Sequence, residues 1–95
     1  MNIFIVGVGM GDTKYLTKIA EEKIKNADII IGAKRVAEPY VNEKRVFFEY
    51  ETDKIKKILE ENKCENAVIL FSGDTSFFSG AKKLEAEFPN AEIFS

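Results

Sequence analysis

The sequence predicts an α/β fold in which a mostly parallel, five-stranded sheet lies between helices on both faces, giving three layers. Three observations indicate this. Short apolar runs alternate with segments whose apolar residues are spaced by three and four, as in helices that bury one face. The strand-like runs are continuously apolar, which is typical of parallel strands covered on both sides. Glycine or proline lies at several of the boundaries between the two kinds of segment.

Five segments are predicted strands. They are residues 2–8, 28–32, 45–50, 67–71 and 91–95. The fourth is the most apolar, so we place it at the centre of the sheet. The fifth ends without a turn or a helix, which we interpret as the point where a longer protein is divided.

Three apolar stripes predict the helix faces that pack against the sheet. Their residues are Leu16, Ile19, Ala20, Ile24 and Ala27, then Ile55, Ile58 and Leu59, then Phe77, Ala81, Leu84 and Phe88. We expect Thr52 or Asp53 to cap the second helix and Thr75 or Ser76 to begin the third. Residues 33–40 hold a shorter helix, which Pro39 ends or kinks.

Composition limits the function classes. The 95 residues are 45% hydrophobic and 32% charged, enough for one small domain and not for two independent cores. Fourteen basic and sixteen acidic residues give a net charge of −2, which argues against nucleic acid as the main partner. The longest apolar run has five residues, far too few to cross a membrane. The single cysteine, Cys64, and the lack of a secretory leader predict a cytoplasmic location.

Residue types also limit the chemistry. Histidine is absent and cysteine occurs once, which argues against a zinc site and excludes catalytic triads with a histidine base. We therefore expect no metal and nominate no general base. Phe47, Phe48 and Tyr50 alternate within a predicted strand, a pattern that favours packing in the core over a stacking platform for a ligand.

Two turns after predicted strands lie where open parallel sheets bind ligands. The first reads GVGMGD over residues 7–12. It is not a full dinucleotide fingerprint, because that motif has glycine at the position of Asp12, and no Walker A loop occurs. Its glycines either bring a ligand close to the backbone or only build a tight turn.

The second turn reads SGDT over residues 72–75. Asp74 or Thr75 can cap the helix that follows. Alternatively, Asp74 accepts hydrogen bonds from a hydroxyl or amine of a ligand, while Ser72 and Gly73 contribute backbone groups. The residues alone leave both interpretations open.

Together these motifs resemble the N-terminal domain of the tetrapyrrole methylases, which use S-adenosyl-L-methionine to methylate corrin and porphyrin precursors. The resemblance rests on residues 7–12, 15–17, 27–32 and 72–74, in this order. The segments IGAKR and FSGDTSFFS look most like the precorrin-6Y methylase branch, which implies methylation of cobalt-precorrin-7 or precorrin-6Y at C5 in cobalamin biosynthesis. The chain departs from the family where Met10 and Thr75 replace proline.

The resemblance implies two sets of site residues. The cofactor contacts are Met10, Ser72, Gly73, Asp74 and Phe77. The tetrapyrrole contacts are Gly9, Gly11, Asp12, Lys34 and Arg35. The two basic side chains suit the acetate and propionate groups of a corrin precursor. A solvated surface without a ligand is the alternative for both.

The resemblance also implies a second α/β domain after residue 95, with the cofactor between the domains and a homodimer for the full-length protein. Two other functions stay open. One is a methyltransferase of the same family that acts on another corrin carbon or on a protein. The other is a non-catalytic nucleotide-binding α/β module.

Overall fold

The computed structural model describes residues 1–8, 18–72 and 75–94, without the side chains of residues 75–79. One five-stranded sheet runs through the described residues, in the order β3-β2-β4-β1-β5. Its strands are β1 (Asn2–Val8), β2 (Ile29–Gly32), β3 (Arg45–Phe48), β4 (Asn66–Ser72) and β5 (Glu92–Phe94). Every neighbouring pair is parallel, and β4 is the central strand, as predicted.

Helical segments alternate with the strands. They are α1 (Lys18–Lys25), α2 (Lys34–Ala37), a 3-10 helix (Glu38–Tyr40), α3 (Thr52–Glu61) and α4 (Thr75–Glu87). The α-helix ends at Ala37 and Pro39 lies in the 3-10 helix that follows, which agrees with the predicted interruption. The predicted start of the first helix near residue 16 lies outside the described residues.

Two apolar clusters cover the two faces of the sheet. On the first face, α1 and α2 pack against alternate residues of the strands, among them Ile30, Val68 and Leu70. On the second face, α3 and α4 pack against the intervening residues, among them Ile31 and Ile69. Because successive side chains of a strand point to opposite faces, continuously apolar strands feed both clusters. The three-layer fold is therefore confirmed.

Two local predictions are wrong. Ile19 is 55% exposed, whereas Ala20 and Ile24, one helical turn apart, carry the contact of α1 with the sheet. Neither Thr52 nor Asp53 caps α3, because the helix begins at Thr52 and Glu51 occupies the cap position without a side-chain hydrogen bond. The Ile55 amide already donates to the Glu51 carbonyl at 2.9 Å, which extends the helix backbone back to that residue.

Polar side chains bind together the edge of the sheet where the strands begin. The Asp28 carboxylate accepts hydrogen bonds from the amides of Glu65 at 3.1 Å and Asn66 at 2.9 Å. The Lys44 ammonium donates to the carbonyls of Lys25, the last residue of α1, and of Ala27, which follows the helix. The Asp28 contacts hold the amino ends of β2 and β4 together.

None of the helices in the described ranges is long and apolar enough to span a membrane.

Gly32 permits the close approach of β2 and β4. A Cβ atom at this position would lie 3.0 Å from the Leu70 carbonyl oxygen and 3.1 Å from Cγ2 of Val36. The first neighbour is backbone of the central strand and cannot easily move.

We therefore expect Gly32→Ala to lower the free energy of unfolding by about 1–3 kcal/mol through overpacking. Without crowding, the same change would stabilise by about 0.4–1 kcal/mol through the unfolded chain. Urea unfolding measures the difference. Adding Val36→Ala relieves only the side-chain contact, so Gly32→Ala should remain destabilising in that background. A Gly32→Ala protein as stable as the wild type would contradict the close approach.

Candidate functional site

The carboxyl ends of β2 and β4 form a crevice at the edge of the sheet. β2 continues into α2 on the first face, whereas its neighbour β4 is followed by α4 on the second face. Adjacent strands whose connections leave to opposite faces open a crevice between them, and ligands of open parallel sheets bind there. The topology thus marks this edge as the candidate site.

Arg35 and Ser72 meet across this crevice. Gly32, the last residue of β2, is paired with Leu70, so β4 extends two residues further, to Ser72. Nη2 of Arg35 donates a hydrogen bond of 3.0 Å to Oγ of Ser72. Ser72 is only 5% exposed. A guanidinium from the segment after β2 therefore covers the end of the central strand.

A cleft of about 990 Å³ opens beside this pair. Ala33, Arg35 and Ser72 are among its lining residues. Residues 50–53, between β3 and α3, form one wall, and residues of α4 from Gly80 to Glu87 form another. Its volume is at the upper end of the range of about 300–1,000 Å³ that is usual for small-molecule sites.

Phe71 gives the cleft part of its apolar lining. Its ring lies against the backbone of α4 at Gly80, where an added Cβ would be 2.6 Å from Cε1 of Phe71. Leu70, buried in the other apolar cluster, lines the same cleft. The apolar surface at the end of β4 can thus exclude water from a ligand that the polar rim holds.

Charged groups of both signs line the cleft. They are Arg35, Glu51, Asp53, Lys83 and Glu87. Glu87 is bound by Lys56 at 3.1 Å, which joins α4 to α3. The hydrogen bond that Lys56 donates to this carboxylate, followed by the negative charge of the carboxylate, raises the pKa of Lys56. The rim therefore offers hydrogen-bond donors and acceptors to a polar ligand and is not a purely anionic or cationic surface.

The expected core packing of three aromatic residues is correct only for Phe47, which packs partly buried against the second cluster. Phe48 is 45% exposed and Tyr50 is 65% exposed. β3 is an edge strand that ends at Phe48, so Tyr50 lies beyond it and lines the cleft. An aromatic residue just after a parallel strand was the signal that sequence reasoning missed.

A family model described as "Tetrapyrrole (Corrin/Porphyrin) Methylases" matches residues 2–93. The chain belongs to this family. A curated relative from Methanocaldococcus jannaschii, named "Probable cobalt-precorrin-7 C(5)-methyltransferase", is 32% identical over 98 aligned residues. The alignment covers 90% of this chain and 46% of the relative, so the chain spans about half the length of that protein. The resemblance noted in the sequence is thereby confirmed.

The structure describes three of the residues that the tetrapyrrole methylase resemblance singled out. Ser72 and Arg35 come together in the crevice, although the sequence assigned them to different ligands. Lys34 instead lies on the surface, with 73% of its side chain exposed and its ammonium 3.9 Å from the Glu38 carboxylate. Outside the described residues or side chains lie Gly9, Met10, Gly11, Asp12, Gly73, Asp74 and Phe77.

No cluster of three or more potential metal ligands occurs in the part of the chain that the structure describes. The candidate site of this tetrapyrrole methylase chain is lined by hydrogen-bonding and apolar groups.

Gly80→Ala tests the contact of α4 with the cleft lining. Alanine favours a helix by about 1 kcal/mol over glycine. Its Cβ would nevertheless displace the Phe71 ring, so we expect a net loss of about 1–3 kcal/mol in the free energy of unfolding. In a Phe71→Leu background, which lacks the ring atoms, Gly80→Ala should become neutral or stabilising. Urea unfolding of the four proteins measures the coupling, and equal effects in both backgrounds would contradict it.

Proposed function

We propose that the protein is an S-adenosyl-L-methionine-dependent methyltransferase that methylates a corrin precursor, cobalt-precorrin-7 or precorrin-6Y, at C5 in cobalamin biosynthesis. The observation that carries the proposal is the Arg35–Ser72 pair at the cleft. It lies at the carboxyl edge of the sheet in a chain of the tetrapyrrole methylase family. The name of the archaeal relative supports the choice of substrate.

The described residues suit S-adenosyl-L-methionine in three respects. The apolar lining at the end of β4, where Phe71 packs against Gly80, offers a surface for an adenine ring or a thioether chain. Ser72, which is buried, contributes a hydroxyl to the lining of the cleft. Glu51 and Asp53 on the wall can accept hydrogen bonds from an ammonium or a ribose hydroxyl. Met10, Gly73, Asp74 and Phe77 complete the cofactor contacts in this proposal.

S-adenosyl-L-methionine would supply a methyl group on a positively charged sulfur. A nucleophilic carbon of the precursor can bond to that methyl while the methyl–sulfur bond breaks, and S-adenosylhomocysteine is the leaving group. The protein then needs to hold two ligands in line and to exclude water. Such positioning can lower a barrier by about 7–11 kcal/mol in favourable cases. A chain without histidine is compatible with this chemistry, because no side chain must act as a strong base in the displacement.

We propose that Lys34 lies at the tetrapyrrole side of the site, together with Gly9, Gly11 and Asp12. Its ion pair with Glu38 is exposed and long, at 3.9 Å. Such pairs contribute little, so the ammonium can exchange this partner for a carboxylate of the substrate at small cost. The resemblance assigns Arg35 to the same ligand.

We further propose that residues 1–95 form the first of two domains and that the active site is complete only with the second. The length of the relative, of which this chain matches 46%, supports this arrangement. The family match also favours one other candidate, namely methylation of a different carbon of a corrin or porphyrin precursor. Product analysis with candidate precursors distinguishes the two.

Titration of full-length protein with S-adenosyl-L-methionine in a calorimeter tests the proposal. We expect specific binding, and we expect Asp74→Ala to raise the Kd roughly tenfold or more, as for the loss of a charged hydrogen-bond acceptor. Glu60→Ala removes one carboxylate from the exposed face of α3 and serves as the control. A wild-type protein that binds no cofactor would refute the proposed function. Normal affinity in Asp74→Ala would refute only the role of that residue.

A further inference from the structure

Among the residues that the structure describes, Ser72 is the one polar residue that is buried. A buried hydroxyl is costly unless it forms a hydrogen bond. Arg35, 37 positions earlier in the chain, supplies that bond at 3.0 Å. Arg35 lies in the connection that follows β2, whereas Ser72 ends β4, so the contact forms only when the two strands lie side by side in the sheet.

The chemistry of the two groups fixes the direction of this bond. A guanidinium only donates and stays protonated, so Oγ of Ser72 must be the acceptor. The hydroxyl carries one proton of its own, and that proton must point away from the Arg35 donor. Ser72 is thereby set to donate to another acceptor, next to a fixed positive charge.

We propose that Arg35 and Ser72 act as one carboxylate-binding unit, in which Arg35 is a positioning residue that orients the Ser72 hydroxyl as a donor. Two donors and one positive charge on the lining of a cleft favour a carboxylate over a neutral or cationic group. This inference rests on the proposed function and deepens it. The sequence assigned the two residues to separate ligands, whereas their contact makes them one site.

Two ligands of the proposed reaction carry carboxylates. S-adenosyl-L-methionine has a carboxylate in its amino-acid part. The corrin precursor has several, in its acetate and propionate groups. 5′-Methylthioadenosine keeps the adenosine and the thioether but lacks the amino-acid carboxylate. It therefore reports on the shape of the cofactor site without the group that the unit binds.

The experiment is a double-mutant cycle in full-length protein, with Arg35→Ala, Ser72→Ala and the combination. Calorimetry gives the Kd for S-adenosyl-L-methionine and for 5′-methylthioadenosine, and steady-state kinetics gives KM for the corrin precursor. Arg45→Ala removes the other arginine of the chain, at the amino end of β3, and is the matched control. Ser72→Thr keeps the hydroxyl and is the conservative variant.

We expect Arg35→Ala and Ser72→Ala each to lower the affinity for one carboxylate-bearing ligand roughly tenfold, as for the loss of a hydrogen bond to a charged group. The double variant should bind that ligand no more than about tenfold more weakly than the wild type does, because both changes disrupt the same unit. 5′-Methylthioadenosine affinity should stay within about twofold, and Ser72→Thr and Arg45→Ala should resemble the wild type. A rise in Kd identifies the cofactor carboxylate, and a rise in KM identifies a carboxylate of the precursor.

Three results would overturn the inference. Roughly hundredfold weakening in the double variant would mean that the residues act independently. An equal loss of 5′-methylthioadenosine affinity would mean that the pair only maintains the shape of the site. Unchanged Kd and KM would mean that it binds no carboxylate. In each case wild-type cofactor binding still supports the proposed function, whereas a wild type that binds no S-adenosyl-L-methionine overturns both.

Discussion

The structure depends on the burial and two-sided pairing of the central strand, β4. It pairs with β1 over seven residues and with β2 over four. Residues 67–72 are buried, and the side chains of residues 67–71 alternate between the two apolar clusters. β4 therefore joins both helical layers, and its end fixes where the site can form. Asp28 aligns the start of the same strand by accepting hydrogen bonds from two backbone amides.

The position of β4 between β2 and β1 also explains the chemistry of the site. Because β4 projects two residues beyond β2, Ser72 reaches the crevice, where Arg35 contacts it. The close approach at Gly32 keeps the two strand ends together. The apolar residues that precede Ser72 serve the core and the lining of the cleft at once. Fold stability and ligand geometry thus depend on the same few residues.

The sequence predicted most of the fold, because apolar strands and three-to-four spacing are local signals. The apolarity of residues 67–71 correctly indicated the central strand, and the glycine-bearing turns correctly indicated the family. The Arg35–Ser72 bond could not be predicted, since it depends on which strands are neighbours. Tyr50 was assigned to the core because the predicted third strand was two residues too long. Ile19 was assigned to a buried face that proved narrower than the apolar pattern suggested.

We propose that the ligand site lies at the carboxyl ends of β2 and β4. A crystal structure of the full-length protein with S-adenosylhomocysteine, the product of methyl transfer, tests it most directly. We expect the product in the crevice beside the Arg35–Ser72 pair, with its apolar part against the lining that includes Phe71. Product bound near Asp28, where the strands begin, or on a helix surface away from the crevice would contradict this location of the site.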